Sequence, residues 1–352
     1  MERNSECKML ILGLTGQCNF ACSYCYAHAQ PQERMSLSIA IKAIDMAAQS
    51  GNPFVLQFSG GEPLLAFDVM QEIIGYVRQK PIPAILQVQT NGSLIEREMA
   101  LYLRDAKVGV GVSLDGRPQQ NDLHRRLPSG EGTSPRILHG IQVLAQAGVE
   151  IGITCVVTDN NVRQLSGIVE MAYYLGNVRK IGFDLLRQQG RGVGIEAAKA
   201  QDLEEGLQQV LMTARHLEEQ TGKKLVFSHT ERVESLGCKS LAGFAHCHAM
   251  NGEAAFVDAM GELYACASLA GFSEFRLGTV NDQIDLFKQQ GIGTFIRESM
   301  KFCLVCPSFS LCGGACFARW YGANAASMPY LPECMLKKVF IQEYRKQKES
   351  TI

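Results

Sequence analysis

Across the first two thirds of the chain, short runs rich in β-branched residues alternate with segments whose apolar residues recur at helical spacing. No other feature restricts the fold as much. Strands separated by helices of this length cannot pair as hairpins; the helix carries the chain back over the sheet, and the next strand lies parallel to the last. Six strands are predicted, at Met9–Leu14, Phe54–Phe58, Ile85–Gln89, Val108–Ser113, Ile151–Val157 and Ile181–Leu185. Between the first two, "SLSIAIKAIDMAAQSG" spaces Leu37, Ile41, Ile44 and Ala48 along one face and should stop at Gly51 in the left-handed conformation. The next helix carries Leu65, Val69, Ile73 and Val77 and ends before Pro81. A long polar helix is expected over 194–220. The fold class is therefore α/β, built of βα units around a parallel sheet, and six strands rather than eight suggest a partial (β/α)6 barrel of the TIM type, open on one side.

Beyond about residue 235 the texture turns to short strands, glycine turns and eight of the thirteen cysteines. The expected division is a barrel over residues 1–230, a cysteine-rich domain over 231–340 and a polar tail over 341–352. A net charge of −1 and a pI near 6.7 argue against a nucleic-acid partner. There is no apolar run of about eighteen residues, and the start "MERNSECKMLILGLTG" is too broken for a signal peptide, so the chain reads as soluble and cytoplasmic, without a membrane partner. Cysteines this numerous in a reducing compartment mean metal or redox chemistry, not disulfides.

The cysteines sort by spacing. Cys18, Cys22 and Cys25 stand in "CNFACSYCY", directly after the first predicted strand. A second set is Cys238, Cys247 and Cys266, and a third run is Cys303-x2-Cys306-x5-Cys312-x3-Cys316-x17-Cys334. Cys7 and Cys155 are left over; Cys155, mid-strand in "ITCVV", reads as a buried small hydrophobe. The eight C-terminal cysteines suffice for two four-thiolate sites, which on spacing alone are open to structural zinc or to iron–sulfur clusters. The N-terminal triplet has no nearby fourth cysteine, and a cubane with one open iron is the better chemical fit.

With Tyr24 just before the third cysteine and "GGEP" after the second predicted strand, the chain resembles the radical S-adenosylmethionine (SAM) enzymes. Cys247-x13-Gly261-x4-Cys266 and the run from Cys303 to Cys334 resemble the SPASM domain, which binds two auxiliary [4Fe–4S] clusters in peptide-modifying members. The resemblance implies three [4Fe–4S] clusters and SAM as cofactors. Cys18, Cys22 and Cys25 would hold the radical-generating cluster, with SAM on its fourth iron. Gly60, Gly61 and Glu62 would receive the methionyl amino group, Ser113 and Arg125 would contact the ribose and carboxylate, and Tyr24 would lie near the adenine. By comparison with anaerobic sulfatase-maturing enzymes, Cys238, Cys247, Cys266 and Cys316 would bind the first auxiliary cluster, and Cys303, Cys306, Cys312 and Cys334 the second. The Cys238 to Cys247 spacing is longer than that comparison leads one to expect; without Cys238 the cluster has an open iron. His246 and His248, flanking Cys247, read as surface histidines. The cysteine loop, "GGEP", "TNG" (Thr90–Gly92) and "SLDG" (Ser113–Gly116) each fall at the end of a different predicted strand, the face on which parallel barrels build their sites.

The activity implied is that of a radical SAM enzyme, an oxidoreductase-type maturase. A ferredoxin or flavodoxin supplies an electron, SAM is cleaved to a 5′-deoxyadenosyl radical, and the radical takes a hydrogen from a peptide or protein substrate to form a crosslink, a thioether or a related modification. Formylglycine formation of the sulfatase type is an alternative, lowered by Ala267, which follows Cys266 where those enzymes carry an aspartate. A small molecule such as a tetrapyrrole or aminocyclitol is the other alternative substrate. Seventeen residues precede Cys18, too few for a winged-helix recognition domain, so leader binding is expected of the C-terminal domain or a separate recognition protein, or the substrate has no leader. A multi-cluster electron carrier and a zinc-stapled interaction module are the non-enzymatic alternatives; a carrier has no need of "GGEP" or of an open-iron triplet.

Overall fold

The structure, a computed structural model, describes residues 6–238, 243–282, 286–323 and 328–349. Ten strands are β1 (Met9–Gly13), β2 (Phe54–Ser59), β3 (Ala84–Thr90), β4 (Gly109–Ser113), β5 (Ile151–Val157), β6 (Val178–Leu185), β7 (Val226–Phe227), β8 (Ala254–Val257), β9 (Glu262–Tyr264) and β10 (Arg276–Thr279). The helices are α1 (Leu37–Ala48), α2 (Phe67–Gln79), α3 (Arg97–Asp105), α4 (Pro118–His124), α5 (Ser134–Gln146), α6 (Ser166–Leu175), α7 (Ala200–Thr221), α8 (Ser228–Gly237), α9 (Leu286–Ser299), α10 (Phe309–Cys312), α11 (Phe317–Gly322) and α12 (Leu331–Glu349).

All ten strands share one sheet, in the order β10-β9-β8-β1-β2-β3-β4-β5-β6-β7. Neighbours from β8 through β7 run parallel, and β9 and β10 add an antiparallel edge. The six expected strands are present, β5 with its expected bounds and β6 beginning at Val178 rather than Ile181. Along each, alternate residues such as Leu10, Leu12, Leu56, Phe58, Val110 and Val112 are buried under the crossover helices. On the opposite face Gln89 donates to Ser113 Oγ at 3.0 Å and accepts from Thr154 Oγ1 at 3.3 Å, a polar row across β3, β4 and β5.

Ser36 caps α1 by accepting from Ile39 N, and Gly51 ends the segment at φ +70° as the spacing implied. The buried faces are rotated from those expected. Ala40, Ala43, Ile44 and Ala47 are buried on α1, and Met70, Ile73, Ile74 and Val77 on α2, while Leu65 precedes α2 and stays exposed. The long polar helix begins at Ala200, after a loop that wraps the cysteine segment.

The C-terminal part is continuous with the barrel sheet. β8 pairs in parallel with β1, Met9 opposite Ala254 and Leu12 opposite Val257, extending the edge that was expected to be open. α12 lies along α7 and α8 and runs to Glu349, with Ile341 buried and Glu343 bonded to Arg215 at 2.9 Å; the stretch expected as a polar tail is helical, packed as far as Tyr344 and exposed over 345–349. Among the described residues no helix is long and apolar enough to cross a membrane.

Candidate functional site

The cysteine triplet lies in the connection from β1 to α1, at the C-terminal ends of the parallel strands. Backbone hydrogen bonds sew this loop to three neighbours: Glu62 N donates to Gln17 O at 2.8 Å, Ser23 N to His124 O at 2.9 Å, and Arg191 N to Cys25 O at 3.0 Å. "GGEP" packs directly beneath it. Gly60 holds φ +131°, and a Cβ there would stand 2.3 Å from Thr15 O; one on Gly61 would stand 2.2 Å from Gln17 O. Only glycine admits so close an approach of two backbones.

Glu62 is buried and turns inward. Its carboxylate accepts from Thr90 Oγ1 at 2.7 Å, Leu64 N at 3.1 Å and Asn91 N at 2.8 Å, tying "GGEP" to "TNG". Burial pushes this carboxyl up to about 7, and the three donors hold it from rising further. Asn91 also donates to Asn19 Oδ1 at 2.9 Å, so the loop after β3 braces the cysteine segment.

Arg125 and Tyr24 occupy a buried cluster that the sequence did not disclose. Arg125 forks onto Asp115, Tyr24 OH donates to the same carboxylate, and Val156 N donates to it at 2.9 Å. The Arg125 guanidinium lies 5.4 Å from the Tyr24 ring centroid. Desolvation weighs against its charge, but Asp115, Tyr24 and Cys22 outweigh that and keep it protonated. Arg125 is thus buried and held through Nε and Nη2 by Asp115, and Tyr24 is buried against the same carboxylate. Ser113 stands at the end of β4, bonded to Gln89.

The thiols form electrostatic neighbourhoods. Desolvation pushes Cys18 up to about 12, with the charges of Glu62, Cys22 and Cys25 adding to the rise. Cys22 is raised by burial and partly relieved by Arg125. In the C-terminal part, burial takes Cys266 up to about 12, with Cys247 and Cys316 contributing. Burial likewise takes Cys303 and Cys334 up to about 11, Cys303 feeling Cys312 and Cys334, and Cys334 feeling Cys312 and Cys306. These couplings group Cys18 with Cys22 and Cys25, Cys266 with Cys247 and Cys316, and Cys303 and Cys334 with Cys306 and Cys312. Cys238 is exposed at the end of α8, and the residues 239–242 that follow it lie outside the described set. Cys155 is fully buried, as expected of a core residue.

These donors fit an iron–sulfur cage. Thiols raised by desolvation are poor thiolates alone, and bound iron reverses this by displacing the proton. Among the described residues no three Cys, His, Asp or Glu side chains converge as a single metal ion would need.

His246 departs from expectation. It is enclosed by α12, within 2.7 Å of Lys337 Nζ, and burial drives its proton affinity well down. His248 stays near the surface, 3.2 Å from Glu253. Neighbouring the first C-terminal group is a charged network the sequence did not signal: Asp184 takes Arg187 at 2.5 Å and Arg319 at 3.2 Å, and Arg319 also pairs with Glu333, which Lys337 approaches at 3.4 Å.

Residues 12–172 match the family model of the Radical SAM superfamily. An uncharacterized protein of Methanocaldococcus jannaschii is 30% identical over 295 residues, covering 83% of this chain and 96% of its own length. The AdoMet-dependent heme synthase of Oleidesulfovibrio alaskensis is 26% identical, covering 95% and 88%. The cysteine-type anaerobic sulfatase-maturating enzyme of Clostridium perfringens is 27% identical, covering 88% of each. In fold, native anSMEcpe with bound AdoMet and Cp18Cys peptide superposes with a TM-score of 0.81 at 20% identity over 98% of both chains. With a cysteine triplet braced by "GGEP" at the strand ends and relatives of this extent, the chain belongs to the radical SAM superfamily, enzymes that use SAM and a [4Fe–4S] cluster.

Proposed function

We propose that the chain is a SPASM-type maturase that abstracts hydrogen from a peptide or protein and installs a crosslink, a thioether or a related modification. The observation that carries the reading is the partition of the thiols: a triplet over "GGEP", and two further groups in the part of the chain that extends the barrel edge. Cys18, Cys22 and Cys25 hold the first cluster. Cys247, Cys266 and Cys316 hold the second, with Cys238 offered from the end of α8. Cys303, Cys306, Cys312 and Cys334 hold the third. When bound, the first cluster and SAM supply the 5′-deoxyadenosyl radical.

The chain's own residues position. With the Glu62 carboxylate taken up by Thr90, Leu64 and Asn91, the backbone carbonyls of Gly60 and Gly61 become the acceptors for the methionyl amino group. Ser113, at the end of β4, would contact the ribose. Arg125, paired with Asp115, supports Tyr24 and the loop and would lend its charge to the SAM carboxylate. A ferredoxin or flavodoxin is the electron donor. Formylglycine formation remains the alternative within this class, without an aspartate after Cys266. The likeness to a heme synthase favours a tetrapyrrole as the second reading.

The test is anaerobic reconstitution. About twelve iron per chain are expected, and about eight after Cys18→Ala, Cys22→Ala and Cys25→Ala together. With dithionite the wild type forms 5′-deoxyadenosine from SAM and, given deuterated peptides, carries deuterium into it. Equal product from Cys22→Ala would refute the radical enzyme; deuterium from a porphyrin but never from peptides would refute the maturase.

A further inference from the structure

Six buried side-chain nitrogen or oxygen atoms among the described residues have no hydrogen-bond partner, and four of them lie at one place: Asp184 Oδ1, Arg187 Nε, Gln189 Oε1 and Arg319 Nε. They line the seam between the exit of β6 and α11. Arg187 reaches Asp184 Oδ2 at 2.5 Å, Arg319 Nη2 lies 3.2 Å from Asp184 Oδ1 as an ion pair, and Gln189 Nε2 donates to Ala318 O at 3.3 Å. Buried polar atoms are normally satisfied, and four left open together indicate a group that arrives from outside the chain.

Position says which group. The Arg187 guanidinium stands 4.8 Å from the Tyr26 ring centroid, and Tyr26 senses the charges of both Cys25 and Cys266. The seam therefore lies between the N-terminal triplet and the first C-terminal thiol group, where a molecule to be oxidised has to sit. The atoms without a hydrogen-bond partner are two N–H donors and two oxygen acceptors, of which Asp184 Oδ1 carries the ion pair to Arg319. A carboxylate satisfies the arginines but is repelled by Asp184 and leaves Gln189 Oε1 empty. A peptide group offers a carbonyl to a donor and an N–H to an acceptor.

We propose that Asp184, Arg187, Gln189 and Arg319 bind the backbone amides of an extended substrate segment; this rests on the maturase reading and names the chemistry by which the substrate is held. The four are positioning residues, recognising main chain and leaving side-chain choice to other parts of the site.

The experiment pans a displayed random-peptide library against the anaerobic holoenzyme with SAM and follows the selected peptides through fluorescence of Trp320, the single tryptophan, which neighbours Arg319. Expected is a loss of about tenfold or more in affinity for Gln189→Ala and for Arg187→Gln, and a comparable loss for the wild type when one backbone amide of the peptide is N-methylated. The N-methyl penalty should vanish in one of the variants, and the N-methyl series keeps the test independent of how a variant folds. Absence of any selected peptide, indifference to N-methylation, or saturable binding of coproporphyrin lost in Arg187→Gln overturns the proposal, the last in favour of carboxylate recognition. 5′-Deoxyadenosine formation by the wild type is read in parallel. Its absence refutes the radical enzyme, whereas normal formation with no amide dependence refutes only the seam.

Discussion

Arg125 and Asp115 form a forked ion pair beneath Cys22, Nε to Oδ2 and Nη2 to Oδ1, each at 3.0 Å, with side chains only 8% and 2% exposed. The pair links the end of α4 to the exit of β4, and through Tyr24 it reaches the cysteine loop.

Removing one member leaves the other as an uncompensated buried charge, which costs about 3–5 kcal/mol. Asp115→Asn should lower the stability of the iron-free protein by that amount in chemical denaturation. Asp115→Asn with Arg125→Met should cost less than the sum of the two single changes, because the partners share one interaction. A loss under about 1 kcal/mol for Asp115→Asn would show that water reaches the pair.

Glu62 makes stability depend on pH in a direction opposite to the usual carboxylate. Its folded carboxyl sits at about 7 against 4.5 ordinarily, so the folded chain binds that proton more tightly than the unfolded one. The contribution is complete below pH 4.5 and is lost as pH rises through 7. At 1.36 kcal/mol per tenfold change in proton affinity, the stability difference between wild type and Glu62→Gln should shrink by roughly 3 kcal/mol across that window. A difference constant with pH would mean that Thr90, Leu64 and Asn91 keep the carboxylate ionised throughout.

Gly61 is a steric requirement. A Cβ there meets Gln17 O at 2.2 Å, a backbone atom that cannot swing aside, so Gly61→Ala must part "GGEP" from the cysteine loop. Displacement of a binding loop by about 1 Å can cost ~100-fold in rate. Gly61→Ala should lose 5′-deoxyadenosine formation on that scale. Gly51→Ala, where the added Cβ meets nothing within 4 Å, is the comparison and should cost only the strain of its left-handed backbone.

What the sequence disclosed and what it hid follow the range of the interactions. The bounds of β5 and the stop at Gly51 are written in local pattern, since β-branched runs and a left-handed glycine act over a few residues. So are the strand-end positions of the cysteine loop, "GGEP", "TNG" and "SLDG". The pairing of β8 with β1 joins residues far apart in the chain, and "AAFV", buried at every position, carries no alternation to announce it. His246 could not be read as covered because the side chain against it, Lys337, comes from α12. Asp115 lay inside a quoted motif, yet its bond to Arg125 has no local signature. Asp184, Arg187 and Arg319 meet only when β6 and α11 are brought together.

The cysteines offer a graded prediction, because their surroundings differ. Cys266 is enclosed with Cys247 and Cys316, and replacing it removes a ligand from a site whose other thiols cannot shift to compensate. Cys266→Ser should therefore lose about four iron per chain, and Cys312→Ser about four from the other group. Cys238 stands exposed at the end of α8, where a missing thiol can be replaced by water or by a small added thiol. Cys238→Ser should keep more of its iron than either, and Cys155→Ala, deep in β5, should keep all of it while losing some core packing. Iron and sulfide analysis of the four variants after identical anaerobic reconstitution measures the order. If Cys238→Ser lost as much iron as Cys266→Ser, Cys238 would be an indispensable ligand, and the first C-terminal cluster would have four protein thiolates and no open iron.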